Sequence, residues 1–468
     1  MVYDRRELRQ VLLDRLESSI SYKVTLKFRK MSLSTLQRER SRVLSEFEVH
    51  VGRFTRLPGS FLDPMFVLER LCIDFMQTIS PATPSQDLEL VVKLYADGTL
   101  VREKCWIELG LSIVYPLQEH HQSMNHHYLF GLVKCKESLD VMEELYRDIE
   151  MNDFVQRANS LSLTRDGVTV NVRIVFVADW MLHVYSNVGM GEPNLNGNQE
   201  VLSYCSGLTA ELKNRWFLSP ASRVLEGPRA IDTNLRALLP SVHLDDRLYD
   251  PMHGNARQLT AVMDCSLQVL SDIGFPHTDE VNRLLADCNF SFTSGFNPKS
   301  CKVFLSTNLD EMIHILHEIY IDADGSAPIQ AREFHLSRIR KALASVRIFH
   351  VFIYTEDPFH LMGQLECARD CLVEFYHVYQ FKMRPAVHYM LKSFLEDVEH
   401  MRPAYPYHWI CEGNEAFHKR LRKLGNLVFF NGQYTHDPLT PSDTEIILQN
   451  AILVSLLKNY DARATPRE

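Results

Sequence analysis

The chain has 468 residues, enough for two to three domains whose cores need no disulfide staples. Hydrophobic residues make up 46% and charged residues 23%, with 19 Gly and 20 Pro, which excludes collagen-like, mucin-like and wholly disordered classes. The net charge of −9 excludes a protein that coats nucleic acid indiscriminately, so any DNA role has to rest on local basic patches.

No run of 18 apolar residues is present, so no membrane span is expected. The start, MVYDRRELRQ, lacks the apolar segment of a signal peptide. Ten Cys are scattered without a framework spacing and read as reduced thiols of the cytosol or nucleus.

Residues 1–84 read as a helical, basic N-terminal region. Between Lys23 and Arg42 lie seven Lys/Arg and one Glu, a local net of +6, followed by a charged helix over 35–55. Such a run suits a solvated helix face or a phosphate-contacting arm. The stretch 80–88 (SPATPSQDL) marks a boundary.

From Leu88 the texture becomes β-rich. The run 90–95 (LVVKLY) leads to Asp97-Gly98, and the spacing predicts a hairpin returning through 105–115 (CWIELGLSIVY). A third strand is expected over 129–134. His120, His121, His126 and His127 fall before it, in a loop with no Cys or acid at ligand spacing, which favours solvated surface over metal. A helical period covers 138–159, and a fourth strand, 168–178, ends in Asp179. From 206 to 405 the pattern is mostly helical, with candidates at 256–273, 308–321, 332–347, 360–380 and 385–400. Further helices are expected near 412–424 and 442–459. No fixed-period repeat appears.

Phosphate-loop, dinucleotide, serine-elbow and metalloprotease signatures are absent. Cys367 and Cys371, one turn apart, read as packing residues, and Asp322-Ala-Asp-Gly325 as a turn. Three carboxylates remain: Asp97, Asp179 and Glu412, the last in WICEGNEA (409–416). Three antiparallel strands, a helix and a fourth strand with an acid at its end is the layout of a ribonuclease-H-like core. The expected fold is therefore α/β, a mixed sheet with acids at strand ends, interrupted by a large, mostly helical insertion. The divisions are 85–205 for the first part of the core, 206–405 for the insertion and 406–468 for the helices that complete it. Paired carboxylates at one sheet edge repel unless a divalent cation neutralises them. A third would complete an oxygen cage suited to Mg²⁺ or Mn²⁺, and two such ions serve phosphodiester chemistry. Each acid also has a plainer role: Asp97 as the first residue of a hairpin turn, Asp179 as a helix cap, Glu412 against a helix dipole.

The segment 409–423, a Glu-Gly-Asn-Glu turn entering a basic helix, resembles the last-acid motif of the V(D)J recombinase (RAG recombinase) large subunit and the related Transib transposases. Other segments are similar in the same order: 92–98 (VKLYADG), 174–179 (IVFVAD), 250–257 (DPMHGNAR), 294–297 with 307–312, 383–388 (MRPAVH) and 442–448. The resemblance covers about residues 88–460. It implies a metal-dependent DNA transposase or recombinase core of the DDE type, acting on double-stranded DNA in the nucleus as a homodimer, with a second recombinase-like subunit in some members. It implies Asp97, Asp179 and Glu412 as catalytic ligands of two Mg²⁺ or Mn²⁺ ions, and a nick followed by attack of the freed 3′-hydroxyl to leave a hairpin. Lys419, Arg420, Arg422 and Lys423 are the candidate DNA-backbone contacts, or else a solvated helix face.

The departures are specific. The family's insertion holds zinc through two Cys separated by two residues and two His five positions apart. Here Cys205 and His388 match one of each, while Leu202 and Ser393 occupy the partner positions, and His400 or Cys411 are the obvious substitutes. Zinc is therefore not expected. The alternative to an active enzyme is a domesticated, inactive relative serving as a DNA-associated or protein-interaction scaffold. The acidic balance and the degenerate zinc ligands favour that alternative, and the three intact acids favour the enzyme.

Overall fold

In the computed structural model the described residues are 49–78, 87–101, 104–116, 127–165, 168–179, 238–272, 279–290, 295–322, 328–379 and 385–412, with Ser45, Glu445 and Leu448. They are mixed α/β and divide into two compact units. The first takes residues up to Phe176, Leu238–Val242 and the chain from Glu412; the second takes Val177–Ala237 and His243–Cys411.

The first unit is built on a sheet. Its strands are β1 (Val51–Arg53), β2 (Gly59–Leu62), β3 (Asp87–Val101), β4 (Lys104–Tyr115), β5 (His127–Val133), β6 (Ser162–Arg165) and β7 (Val168–Ala178), in the order β1-β2-β5-β4-β3-β7-β6. The pairs β3–β4, β4–β5 and β6–β7 are antiparallel. Along β3 the buried Leu90, Val92 and Leu94 alternate with Val91, Lys93 and Tyr95, which are buried too, so both faces are covered. Helix α1 (Pro64–Thr78) packs on β5 and β4 through Leu68, Leu71, Cys72 and Phe75. Asp74 anchors it, paired with Arg70 at 3.1 Å and accepting from the Tyr128 hydroxyl at 2.8 Å. Helices α2 (Leu139–Asp148) and α3 (Met151–Asn159) follow, the first capped by the Ser138 hydroxyl accepting from Val141 N–H.

Several expectations are corrected here. The hairpin does not turn at Asp97-Gly98. Both strands run on, Val101 opposite Lys104, because Thr99, Leu100 and Val101 are themselves good strand formers. The 138–159 helix is broken at Glu150, whose φ of 54° is left-handed. Residues 51–53 of the expected charged helix form a strand instead, and β1 with β2 extends the sheet beyond β5. Phe54 and Phe61, with ring centroids 5.0 Å apart, cover that edge. β6, unexpected from sequence, forms a short hairpin with β7.

Among its described residues the second unit is helical apart from the end of β7 and β8 (Arg247–Tyr249). Its helices are α4 (Pro251–Asp272), α5 (Asp279–Asp287), α6 (Pro298–Val303), α7 (Leu309–Asp322), α8 (Ile329–Tyr354), α9 (Met362–Val378), α10 (Pro385–Leu391), α11 (Ser393–His400) and α12 (Pro406–Trp409). A π-helical turn, Phe304–Asn308, joins α6 to α7. α4 is buried along most of its length and packs on α6, α8 and α10. Gly254 lets α10 approach closely, since a Cβ there would lie 2.3 Å from Met390 Sδ. Lys392 separates α10 from α11 inside the expected 385–400 helix. Cys367 is exposed and Cys371 half-buried, so the packing role expected of the pair is not seen: α9 buries Leu365, Ala368, Leu372 and Phe375 instead.

Candidate active site

Asp97 lies inside β3, half-buried, and pairs in register with Glu108 of β4. Residues opposite one another share a face, so one face of the sheet carries the row Lys93, Tyr95, Asp97 beside the row Ser112, Gly110, Glu108. Glu108 is fully buried, as are Lys93 and Tyr95. The Tyr95 ring lies over Gly110, where a Cβ would come within 2.4 Å of Cζ; no other residue leaves that room. Lys93 Nζ is 5.6 Å from the Tyr95 centroid. His127, expected in a loop, begins β5, is buried and meets Tyr95 edge-on at 5.6 Å. Buried polar groups in such number on one sheet face are unusual, because each needs a partner to offset its desolvation. The β3 strand that carries Asp97 is hydrogen-bonded to β7, the strand that leads to Asp179.

In the second unit Asp179 follows directly on β7 and is half-buried. The residues after it lie outside the described set, so the helix it was expected to cap is not described. Next to it is Asp250, fully buried. The Asp250 backbone N–H donates to Ala178 O at 3.0 Å. Its Oδ1 accepts from Met252 N at 3.1 Å and from Cys411 N at 3.4 Å. Its Oδ2 lies 2.5 Å from His253 Nδ1. Tyr249, its neighbour on β8, is buried, with its backbone N–H donating to the Tyr389 hydroxyl at 3.2 Å and the two rings edge-on at 5.1 Å. Tyr389 in turn donates to the buried Asp397. Burial holds the Tyr249 phenol well above the usual range; Arg257 opposes the shift, and Asp179, Asp250 and Tyr389 add to it.

Glu412 is half-buried, helical, and follows the buried Trp409-Ile410-Cys411. The three expected acids therefore fall in two units, Asp97 and Glu412 in the first and Asp179 in the second. Among the described residues no three Asp, Glu, His or Cys side chains are grouped as a metal site. Cys205, Leu202 and the basic run Lys419, Arg420, Arg422 and Lys423 lie outside the described residues. His388 is fully buried on α10, where burial, with Lys392 adding, pushes its imidazole down to about 3. Ser393 is buried at the first position of α11. His400 contacts Asp246 at 3.2 Å.

Two buried carboxylates, one in each unit, are not singled out by the sequence. Asp250 had a signal: an Asp directly before a Pro reads as a helix cap, and it does cap α4. Glu108 had none, because its place opposite Asp97 comes from strand register.

No protein-family model matches the chain, and no curated protein matches it in sequence. Among solved structures the chain is similar to the Drosophila P element transposase strand transfer complex, with 12% identity and a TM-score of 0.41, over 97% of this chain and 92% of that one. A similarity at that level assigns neither fold nor activity.

Proposed function

We propose that the chain is a ribonuclease-H-like, metal-dependent DNA strand-cleaving enzyme of the transposase or recombinase class, related to the V(D)J recombinase and Transib group. The observation that carries this reading is the adjacency of β3 and β7. Asp97 sits on one of these neighbouring strands and Asp179 directly follows the other, as the first and fourth strands of such a core require. The extension of β3 through Asp97-Gly98 adds support, since Asp97 then has no turn to form.

The donor chemistry fits the group. Asp97, Asp179 and Glu412 offer only hard carboxylate oxygens, the preference of Mg²⁺ and Mn²⁺. When bound, two such ions supply activation of a water and neutralisation of a leaving 3′-oxygen. The chain's own part would be to present Asp97 from β3, Asp179 directly after β7 and Glu412 directly after the buried Trp409-Ile410-Cys411. Duplex DNA is the proposed substrate, with Lys419, Arg420, Arg422 and Lys423 on its phosphates; the nucleus is the proposed compartment and a homodimer, with a second subunit in some settings, the proposed assembly.

A second reading, a diverged relative kept as a scaffold, is favoured by one observation: His388 is fully buried, with a buried serine at the position of the second expected zinc histidine. The test is nicking of a supercoiled duplex by the full chain in Mn²⁺. Cleavage lost in Asp97→Asn supports the enzyme. No cleavage by the wild type at any Mn²⁺ concentration, with intact duplex binding, supports the scaffold.

A further inference from the structure

We propose that Cys105 and Cys135 are a redox-responsive pair, two thiols that close to a disulfide under oxidising conditions and tie β4 to the segment leading into α2. Both lie in the first unit, and the inference is independent of the metal-dependent reading above. Strand register carries it. Ile107 of β4 pairs with Val133, the last residue of β5. Two residues further along each chain stand Cys105, still within β4, and Cys135. The chain stays beside the sheet between Val133 and Cys135, because Lys134 N–H donates to Pro58 O at 2.9 Å. Residues two apart on a strand share a face, so the two cysteines fall opposite one another on the face of Gly98 and Ile107. A second contact holds the segment against that face: Glu137 Oε1 occupies the space that a Cβ on Gly98 would need. Opposed residues of an antiparallel pair have Cα atoms about 4.5–5.5 Å apart, inside the range of about 4.4–6.8 Å that a disulfide spans.

The two sulfurs are not equivalent. Cys105 is exposed and Cys135 half-buried. Burial, with Glu137, Cys105 and Glu144 adding, pushes the Cys135 thiol up to about 12. Cys105 is therefore the sulfur that an external oxidant reaches, and Cys135 the one that resolves the adduct. With a low-molecular-weight disulfide such as oxidised glutathione, the Cys105 sulfur attacks one glutathione sulfur. A mixed disulfide forms, and the first glutathione leaves with the proton of the Cys105 thiol. Cys135 then attacks Cys105 Sγ, the mixed S–S bond breaks, and the second glutathione leaves with the Cys135 proton. The protein loses two electrons and two protons, and the glutathione disulfide gains both. Under reducing conditions the pair rests as two thiols, as it stands in the structure.

The full-length chain is equilibrated in glutathione buffers of rising oxidised fraction, quenched with acid, alkylated and digested with trypsin. Cleavage after Lys104, Lys134 and Lys136 puts the two cysteines in separate peptides, so mass spectrometry reads their joining directly. The expected result is one linked peptide, Cys105 to Cys135, about 2 Da lighter than the two reduced peptides together and released by dithiothreitol. The linked protein should melt several degrees above the reduced one, because the new bond restricts the unfolded chain. Cys135→Ser should trap Cys105 as its glutathione adduct, and Cys105→Ser should leave Cys135 a free thiol in the same buffer. Folded wild-type protein in fully oxidised glutathione with Cys105 and Cys135 not joined overturns the inference. So does either cysteine linked instead to another cysteine of the chain. A linked form that melts below the reduced protein overturns it too, since such a bond would belong to a distorted chain. These outcomes are read from the wild type alone and stand even if a variant does not fold.

Discussion

Asp97 and Glu108 face one another across the antiparallel pair β3–β4, the first half-buried and the second fully enclosed. Where both are ionised, carboxylates directly opposite on a sheet are unfavourable by a few tenths to about 1 kcal/mol. In the absence of divalent metal, Asp97→Asn is therefore expected to leave the protein at least as stable as the wild type, with a gain of up to about 1 kcal/mol. Added Mn²⁺ should then raise the melting temperature of the wild type alone, because a ligand that binds only the folded state stabilises it. Differential scanning fluorimetry with and without Mn²⁺ reads both effects. A clear fall in metal-free stability would mean that the Asp97 carboxylate serves the strand and not a cation.

The α2–α3 junction gives a prediction independent of function. Glu150 holds φ 54° and ψ 45°, a left-handed conformation that disfavours residues with a Cβ. Glycine adopts it without that penalty but loses more chain entropy on folding. Glu150→Gly should raise stability by roughly 0.5 kcal/mol and Glu150→Val should lower it by more than about 1 kcal/mol. Urea midpoints at unchanged slope would show this.

Much of the first unit was legible in the sequence, and the reasons differ by element. The strands 105–115 and 168–178 are long apolar runs rich in β-branched residues, and each is found within a residue of the expected bounds. The hairpin lies beyond its expected position because Asp-Gly is only a local turn signal. Pairing with β4 overrode it, and that pairing is a tertiary fact. β1, β2 and β6 are three to four residues long, too short for a period to register. In the second unit, α4, α7, α8 and α9 follow the apolar period, whereas the break at Lys392 has no proline or glycine to announce it. Asp97, Asp179 and Glu412 are legible in the sequence as candidate acids. The burial of Glu108 and of Asp250 is not legible in the sequence, because one depends on register and the other on a contact with Cys411 far along the chain.

His350 supplies a pH dependence. Burial, with Lys302 and Arg347 adding, pushes its imidazole down to about 4. It packs on the Tyr354 ring, which Lys302 Nζ also covers at 4.4 Å. The unfolded chain takes up this proton near pH 6.5 and the folded chain only near 4, so the unfolded state binds more protons between these values. The stability that depends on neutral His350 is complete above about pH 6.5 and is lost as pH falls toward 4. Melting temperatures taken across that window should fall less steeply in His350→Gln than in the wild type. In Lys302→Met the imidazole, followed by NMR, should titrate at higher pH than in the wild type.

The basic run 419–423 gives an electrostatic prediction. If Lys419 and Arg422 meet phosphates, neutralising either should weaken duplex binding equally for unrelated sequences and reduce the salt slope by about one unit per lost contact. Fluorescence anisotropy over a range of KCl concentrations measures the slope. Unchanged affinity and slope would return these residues to a solvated helix face.

The decisive prediction concerns how losses combine. Ligands of one two-metal site act as a unit, so the site fails when any of them is removed, and further removals have little left to take away. Asp97→Asn, Asp179→Asn and Glu412→Gln keep size and hydrogen bonding while deleting one charge each. Each alone should abolish Mn²⁺-dependent nicking almost as fully as any two together, while duplex binding by the basic run persists. Three unrelated structural carboxylates would behave otherwise: each substitution would shift stability by its own amount, the shifts would add for separated sites, and cleavage by a contaminating nuclease would be indifferent to all three. Single and double variants purified in parallel, assayed for nicking rate and for melting temperature, distinguish the cases. A double variant much slower than either single variant would show that the acids do not share a site, and wild-type cleavage in Asp179→Asn would remove that residue from the proposed triad.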